Sequence, residues 1–263
     1  MPALRLGAVS YLNARPLTWA LDQDPARWSI RYDIPAVCAA LLATGDIDLG
    51  LVPSIEYLRS PRYRLIPGVG IGSRGAVASV AMYSRVPLDQ IRTVGLDTSS
   101  RTSVALLRIL CRRRWNIDPE FMLHPPDLAA MTTAHDAGLL IGDPALEAQH
   151  LALGLTKFDL GEEWMAMTGL PFVYAAWTGP GVGITAADVR ALQDAQHSGL
   201  AAFDAIAEEY GRGDPATTGR AVAYLRDNMN YGLGVDESAG LQLFLDYAAD
   251  LGLAPARRAL EYF

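Results

Sequence analysis

From Leu4 to Asp159 short apolar runs with strand character alternate with helical runs, and this alternation constrains the fold more than any other feature of the chain. The order is a strand at Leu4 to Val9, a helix from about Arg15, a strand at Ser29 to Tyr32, a helix at Ala36 to Ala43 and a strand at Asp48 to Val52. Pro35 suits the first turn of its helix, and Gly45 suits the end. After Ser73 an extended stretch, Gly75 to Ser84, leads into a second series. That series holds a strand at Thr93 to Leu96, a helix at Thr102 to Arg114, a strand at Gly138 to Ile141, a helix at Pro144 to His150 and a strand at Leu155 to Asp159. Another extended segment, Thr168 to Trp177, follows, and from Ala187 the pattern is helical almost throughout. Such alternation predicts an α/β fold with a mostly parallel sheet. Because the second series interrupts the first, residues 1–85 and 177–263 are expected to form one discontinuous lobe and residues 86–176 an inserted second lobe. The cleft then lies between the lobes, with hinge candidates at Ser84 to Leu88 and Phe172 to Trp177.

A chain of 263 residues with 51% hydrophobic and 19% charged residues has core enough for two lobes and is not a disordered composition. Its net charge of -7 argues against nucleic acid or an anionic membrane as the main partner, so any bound anion must be held by local donors. No apolar run approaches the roughly 18 residues of a membrane span. Residues 1–12 lack the basic stretch, apolar core and cleavage site of a secretory signal, which predicts a cytoplasmic protein. Cys38 and Cys111 each sit in an apolar helical pattern and read as reduced core residues. The four histidines show no ligand spacing, so no metal is expected. The single lysine, Lys157, lies in a segment (LTKFDL) that draws no attention, and no phosphate loop, nucleophile elbow or other cofactor signature is present.

Polar groups collect at the predicted strand ends, where open α/β sheets bind ligands. The first set is Ser10, Tyr11 and Asn13, readable as turn and cap chemistry or as a ligand site. Ser54 in VPSIEYLR either caps a helix or faces the same ligand. Ser79, among small and β-branched residues in GAVASV, either packs in a tight sheet or admits a ligand to the backbone. The densest set is LDTSSRTSVALLRIL, where Ser99, Ser100, Arg101, Thr102 and Ser103 crowd one helix start. A helix needs one cap, so the surplus points to a bound carboxylate or phosphate. Asp143 in LLIGDPAL is either an N-cap or a group that orients a hydroxyl or water. The residues alone describe a bilobed α/β protein with a donor-lined cleft for a small organic anion, and leave open whether it reacts.

Six blocks in order, GAVSYLNARPL, DIDLGLVPSIEY, GAVASV, LDTSSRTSVALLRIL, GLLIGDPAL and DLGEEWMAMTGLPFVYAAW, resemble the chorismate dehydratase family of the futalosine route to menaquinone. The segment Tyr224 to Leu251 is also similar to that family's helical ending. The resemblance implies a fold like that of periplasmic type II solute-binding proteins, and a reaction in which chorismate loses water to give 3-[(1-carboxyvinyl)oxy]benzoate without a cofactor. It carries catalytic roles onto Asn13, which matches the asparagine of the SYLN motif, and onto Ser79, which matches the serine of the GxVxSV strand. Asn13 does not titrate and can only orient. The base is then either the substrate's own enolpyruvyl carboxylate or Asp143. Ser10, Tyr11, Ser54 and the hydroxyls of Ser99, Ser100, Thr102 and Ser103, with Arg101, are expected to hold the two carboxylates.

Overall fold

The computed structural model describes residues 3–99 and 101–263. Among the described residues eleven strands form two sheets. The first sheet contains β1 (Leu4–Val9), β2 (Trp28–Asp33), β3 (Leu49–Pro53), β4 (Tyr63–Ser73), β10 (Phe172–Pro180) and β11 (Asn230–Leu233), in the order β11-β4-β10-β3-β1-β2. The second contains β5 (Val80–Ser84), β6 (Thr93–Asp97), β7 (Glu120–His124), β8 (Ala137–Ile141) and β9 (Thr156–Asp159), in the order β7-β6-β8-β5-β9.

The expected mostly parallel sheet is mixed. β1 pairs in parallel with β2 and β3, and β6 with β7 and β8. β10 runs antiparallel to both β3 and β4, and β5 antiparallel to both β8 and β9. The cause is where the chain enters each sheet. β5 and β10 follow crossings between lobes and start at the cleft, beside the points where β8 and β3 end, so Val80 pairs with Ile141 and Ala175 with Pro53. A strand that begins where its neighbours stop must run against them.

Sheet membership therefore changes between Ser73 and Val80, and again between Asp159 and Phe172, upstream of the expected boundaries at 85/86 and 176/177. Ser84 to Leu88 follows β5 on the second sheet, and Phe172 to Trp177 lies inside β10, bonded on both sides, so neither is a crossing. The crossings are the irregular segment 74–79 and the helix Leu160–Thr168 with the turn after it.

Local chemistry explains the elements that place the site. Leu6 and Ala8 of β1 are fully buried, and the helix Pro35–Thr44 begins on Pro35. It ends on Gly45 in the left-handed region (φ 77°), where Asp46 N donates to Leu41 O and Gly45 N to Leu42 O. The helix Thr102–Leu110 buries Leu106, Leu107, Ile109 and Leu110, then widens into a π-helical turn over Cys111–Trp115. The helical tail divides into Ala186–Ala201, Phe203–Gly211, Pro215–Ala223 and Val235–Asp250, and β11 interrupts it. Trp164, fully buried, meets Phe172, Phe244 and Tyr247 edge to face and braces the second crossing against β10. Among the described residues no helix is long and apolar enough to cross a membrane, and no group of three or more His, Cys, Asp or Glu residues is arranged to hold a metal ion.

Candidate active site

The two sheets present their strand ends to each other, and the chain between Ser10 and Ala14 spans the gap. Leu12 N donates to Asp143 Oδ1 at 3.1 Å, and Tyr11 Oη lies 3.3 Å from Ser99 Oγ, both contacts running from the first lobe to the second. The Tyr11 ring packs on Gly142. A Cβ at Gly142 would lie 2.7 Å from Tyr11 Cδ2, and its φ of +62° is itself a glycine conformation. Burial pushes the Tyr11 phenol up, against the pull of its Ser99 partner.

Behind this bridge lies a small cavity of about 50 Å³, walled by Tyr11, Asn13, Thr102, Ser103, Gly142 and Tyr174 together with apolar residues. Among the described residues no charged side chain lines it. Its polar groups are hydroxyls and one amide, set beside the N-terminus of the nine-residue helix Thr102–Leu110. Neutral donors at a helix start bind a carboxylate well. The Asn13 side-chain oxygen is buried and has no hydrogen-bond partner among the described residues, the condition of an acceptor awaiting a ligand donor. Asn13 also lies beside the Tyr224 phenol; hydrogen bonds from Ser79 and Asn13 oppose the burial that pushes Tyr224 up.

The remaining expected residues distribute around this cavity. Ser79 is 1% exposed and its hydroxyl sits 2.7 Å from Tyr224 Oη. Ser54 is equally buried, donates to Val173 O at 2.8 Å and lies 3.4 Å from Thr102 Oγ1. Thr102 Oγ1 in turn accepts from Ile55 N, tying the helix start to the first lobe. Ser99 donates from both its backbone and its hydroxyl to Asp97 Oδ1, so a carboxylate the sequence reading passed over aims it. Arg101 points away from the cavity and pairs with Glu56 Oε2 at 3.0 Å across the lobes. Ser10 is exposed and, with Asp143, lines a separate open pocket of about 640 Å³ that also carries Arg15, Glu147, Glu209 and Arg212. Ser100 lies outside the described residues. Asp143 is partly buried, and that burial raises its carboxyl to about 6, against the Leu12 N–H that stabilises the charged form.

Three residues that matter here were missed in the sequence. Tyr224 opens a π-helical turn, Tyr224–Asn228, on an apolar helix face, so hydrophobic periodicity conceals it. Tyr174 lines the cavity and lies 3.1 Å from Ser73 Oγ, but reads as one more apolar strand residue. Glu56, 4% exposed, looks like a surface position of a short helix.

Comparison with known proteins bears on the fold and the family. Among solved structures, a protein of Archaeoglobus fulgidus superposes with a TM-score of 0.74 at 18% identity, over 95% of this chain and 98% of its own. The alkanesulfonate-binding protein SsuA from Xanthomonas axonopodis pv. citri superposes at 0.69 and 18% identity, over 99% of this chain and 96% of its own. These likenesses establish the two-lobed periplasmic-binding-protein-like α/β fold and nothing chemical. In sequence, the chorismate dehydratase of Thermus thermophilus is 31% identical over 95% of this chain and 96% of its own length. With a family model described as menaquinone biosynthesis matching residues 4–250 as well, the chain belongs to that menaquinone biosynthesis family.

Proposed function

We propose that the protein is a cytoplasmic, cofactor-independent chorismate dehydratase, a lyase that eliminates water from chorismate to give 3-[(1-carboxyvinyl)oxy]benzoate for menaquinone synthesis. The observation that carries the reading is Asn13, a cavity residue with a buried, unpartnered amide oxygen, in a chain related along most of its length to a chorismate dehydratase. The ring proton leaves the carbon bearing the enolpyruvyl ether and hydroxide leaves the adjacent carbon. Together they make one water, and the ring becomes aromatic. No electrons pass to or from the protein, so the chemistry asks only for positioning and proton transfer.

In this reading Thr102 and Ser103, at the helix start, hold one carboxylate of the substrate, while Tyr11 and Asn13 close over the ring. The Asn13 amide positions the substrate's ring hydroxyl, which leaves as hydroxide and takes up the ring proton to become water, and Ser79 supports Asn13 through Tyr224. Asp143 lines the open pocket and its Oδ1 is engaged by Leu12 N, an arrangement that favours the enolpyruvyl carboxylate as the base. Ser10, Ser54, Ser99 and Arg101 then shape or close the site from behind its walls. The test is incubation of pure protein with chorismate, followed by loss of diene absorbance and appearance of the aromatic product. Ligand-induced stabilisation without consumption of chorismate would mark a binding protein instead and overturn the proposal.

A further inference from the structure

The segment that carries Ser79 between the lobes is held in an unusual shape. Ala78 has φ +63°, one of three non-glycine residues with positive φ among those described. Ser79 N donates to Val77 O at 2.8 Å, closing a three-residue turn around it. A γ-turn with positive φ at its centre is the strained form, and an L-residue stays there only where its surroundings over-determine it.

Here the surroundings are two side chains of β9. Asp159 Oδ2 accepts from Ala78 N at 2.7 Å, and Asp159 Oδ1 accepts from Val77 N at 3.0 Å. The same Oδ1 takes the N–H groups of Gly161 and Glu162, capping the helix of the other crossing. Lys157, the only lysine of the chain, donates from Nζ to Ala78 O at 2.8 Å and lies 4.0 Å from Asp159 Oδ2. Both amide faces of the strained residue are thus gripped, the N–H by a carboxylate and the carbonyl by an ammonium. Gly142 N closes the far side by donating to Ser79 O.

We infer that Lys157 and Asp159 are positioning residues which clamp the Val77–Ala78–Ser79 turn and so aim the Ser79 hydroxyl at Tyr224 and the Asn13 side of the cavity. The inference rests on the dehydratase reading, in which Ser79 serves the elimination.

Chorismate turnover by Lys157→Met, Lys157→Met/Ala78→Gly and Ser79→Ala tests it, each variant being checked for its melting transition. Clamping predicts that Lys157→Met loses at least about tenfold in kcat with KM within about threefold. It also predicts that adding Ala78→Gly recovers most of that loss, because glycine holds positive φ unaided. A merely structural lysine would show no such rescue. Where Lys157→Met does not fold, Lys157→Gln, which keeps a donor, enters the same comparison. Wild-type kcat in Lys157→Met, or a double variant no faster than the single one, overturns the clamp. Wild-type turnover in Ser79→Ala instead overturns the role of Ser79, and a wild-type protein inert toward chorismate overturns the dehydratase reading itself.

Discussion

Asp143 shows how one carboxyl in this site separates two questions, chemistry and stability. Asparagine at 143 keeps an oxygen for Leu12 N, so Asp143→Asn preserves the bridge between lobes while removing any base. If the substrate carboxylate takes the ring proton, turnover at neutral pH stays within about threefold of wild type. A fall of several orders of magnitude makes Asp143 the base. Stability moves differently. A carboxyl raised from 3.8 to about 6 by burial binds its proton more tightly folded than unfolded. Its contribution is fully present below the unfolded value and is lost as pH rises through about 6. Two pH units at 1.36 kcal/mol each amount to about 3 kcal/mol. Urea unfolding of the two proteins across this range should therefore give equal stabilities near pH 3 and an advantage to Asp143→Asn of that order near pH 7. A gap that does not change with pH would remove the burial argument.

At the level of elements, the short helix Ser54–Arg59 and the helix Thr102–Leu110 are joined across the lobes by Glu56 and Arg101. Arg101→Met strands a buried carboxylate whose remaining cation, Arg59, stands at 3.6 Å. Arg101 is 40% exposed, so the loss in unfolding free energy should be about 1–2 kcal/mol rather than the value for a sealed pair. An unchanged denaturation midpoint would deny the pair any role in closure. The same elements mark what was legible in the sequence. β3, β6 and β8 match their apolar runs to within about a residue because Gly, Pro and Asp bound them sharply, and β1 matches because its apolar run ends at the polar tip that starts with Ser10. β4 was invisible because Pro67 and Gly68, ordinarily turn signals, sit inside it and are absorbed as irregular register against β10. The stretch Gly75 to Ser84 reads as one strand, yet its first half is the strained crossing, a shape fixed by distant Asp159 and Lys157. Hydroxyls at strand ends are readable as a cluster. Which of them face the cavity is not, since that depends on how the two lobes meet.

For the whole molecule, the contacts Tyr11–Ser99, Leu12–Asp143, Ser54–Thr102 and Glu56–Arg101 describe a closed cleft. The cavity of about 50 Å³ falls far below the roughly 300 Å³ at which ligand pockets begin. A cyclohexadiene dicarboxylate enters only if the lobes part, and Asp159 is tied to both crossings, accepting from Val77 N and Ala78 N in the first and capping the helix of the second, so the motion is expected to pivot around that end of β9. Solution scattering should give a larger radius of gyration without product than with it. Equal radii would mean that the cleft is preformed and that side chains alone make room. The uncharged lining of the cavity has a kinetic counterpart. A doubly negative substrate approaches a protein of net charge -7 with no cationic wall to draw it in, so long-range repulsion opposes each encounter. Raising ionic strength from about 0.01 M to about 0.15 M shortens the Debye length from roughly 30 Å to roughly 8 Å, and kcat/KM should climb. A decline would reveal a hidden attractive field, whereas a climb would make this an enzyme that captures its anion faster in brine than in dilute buffer.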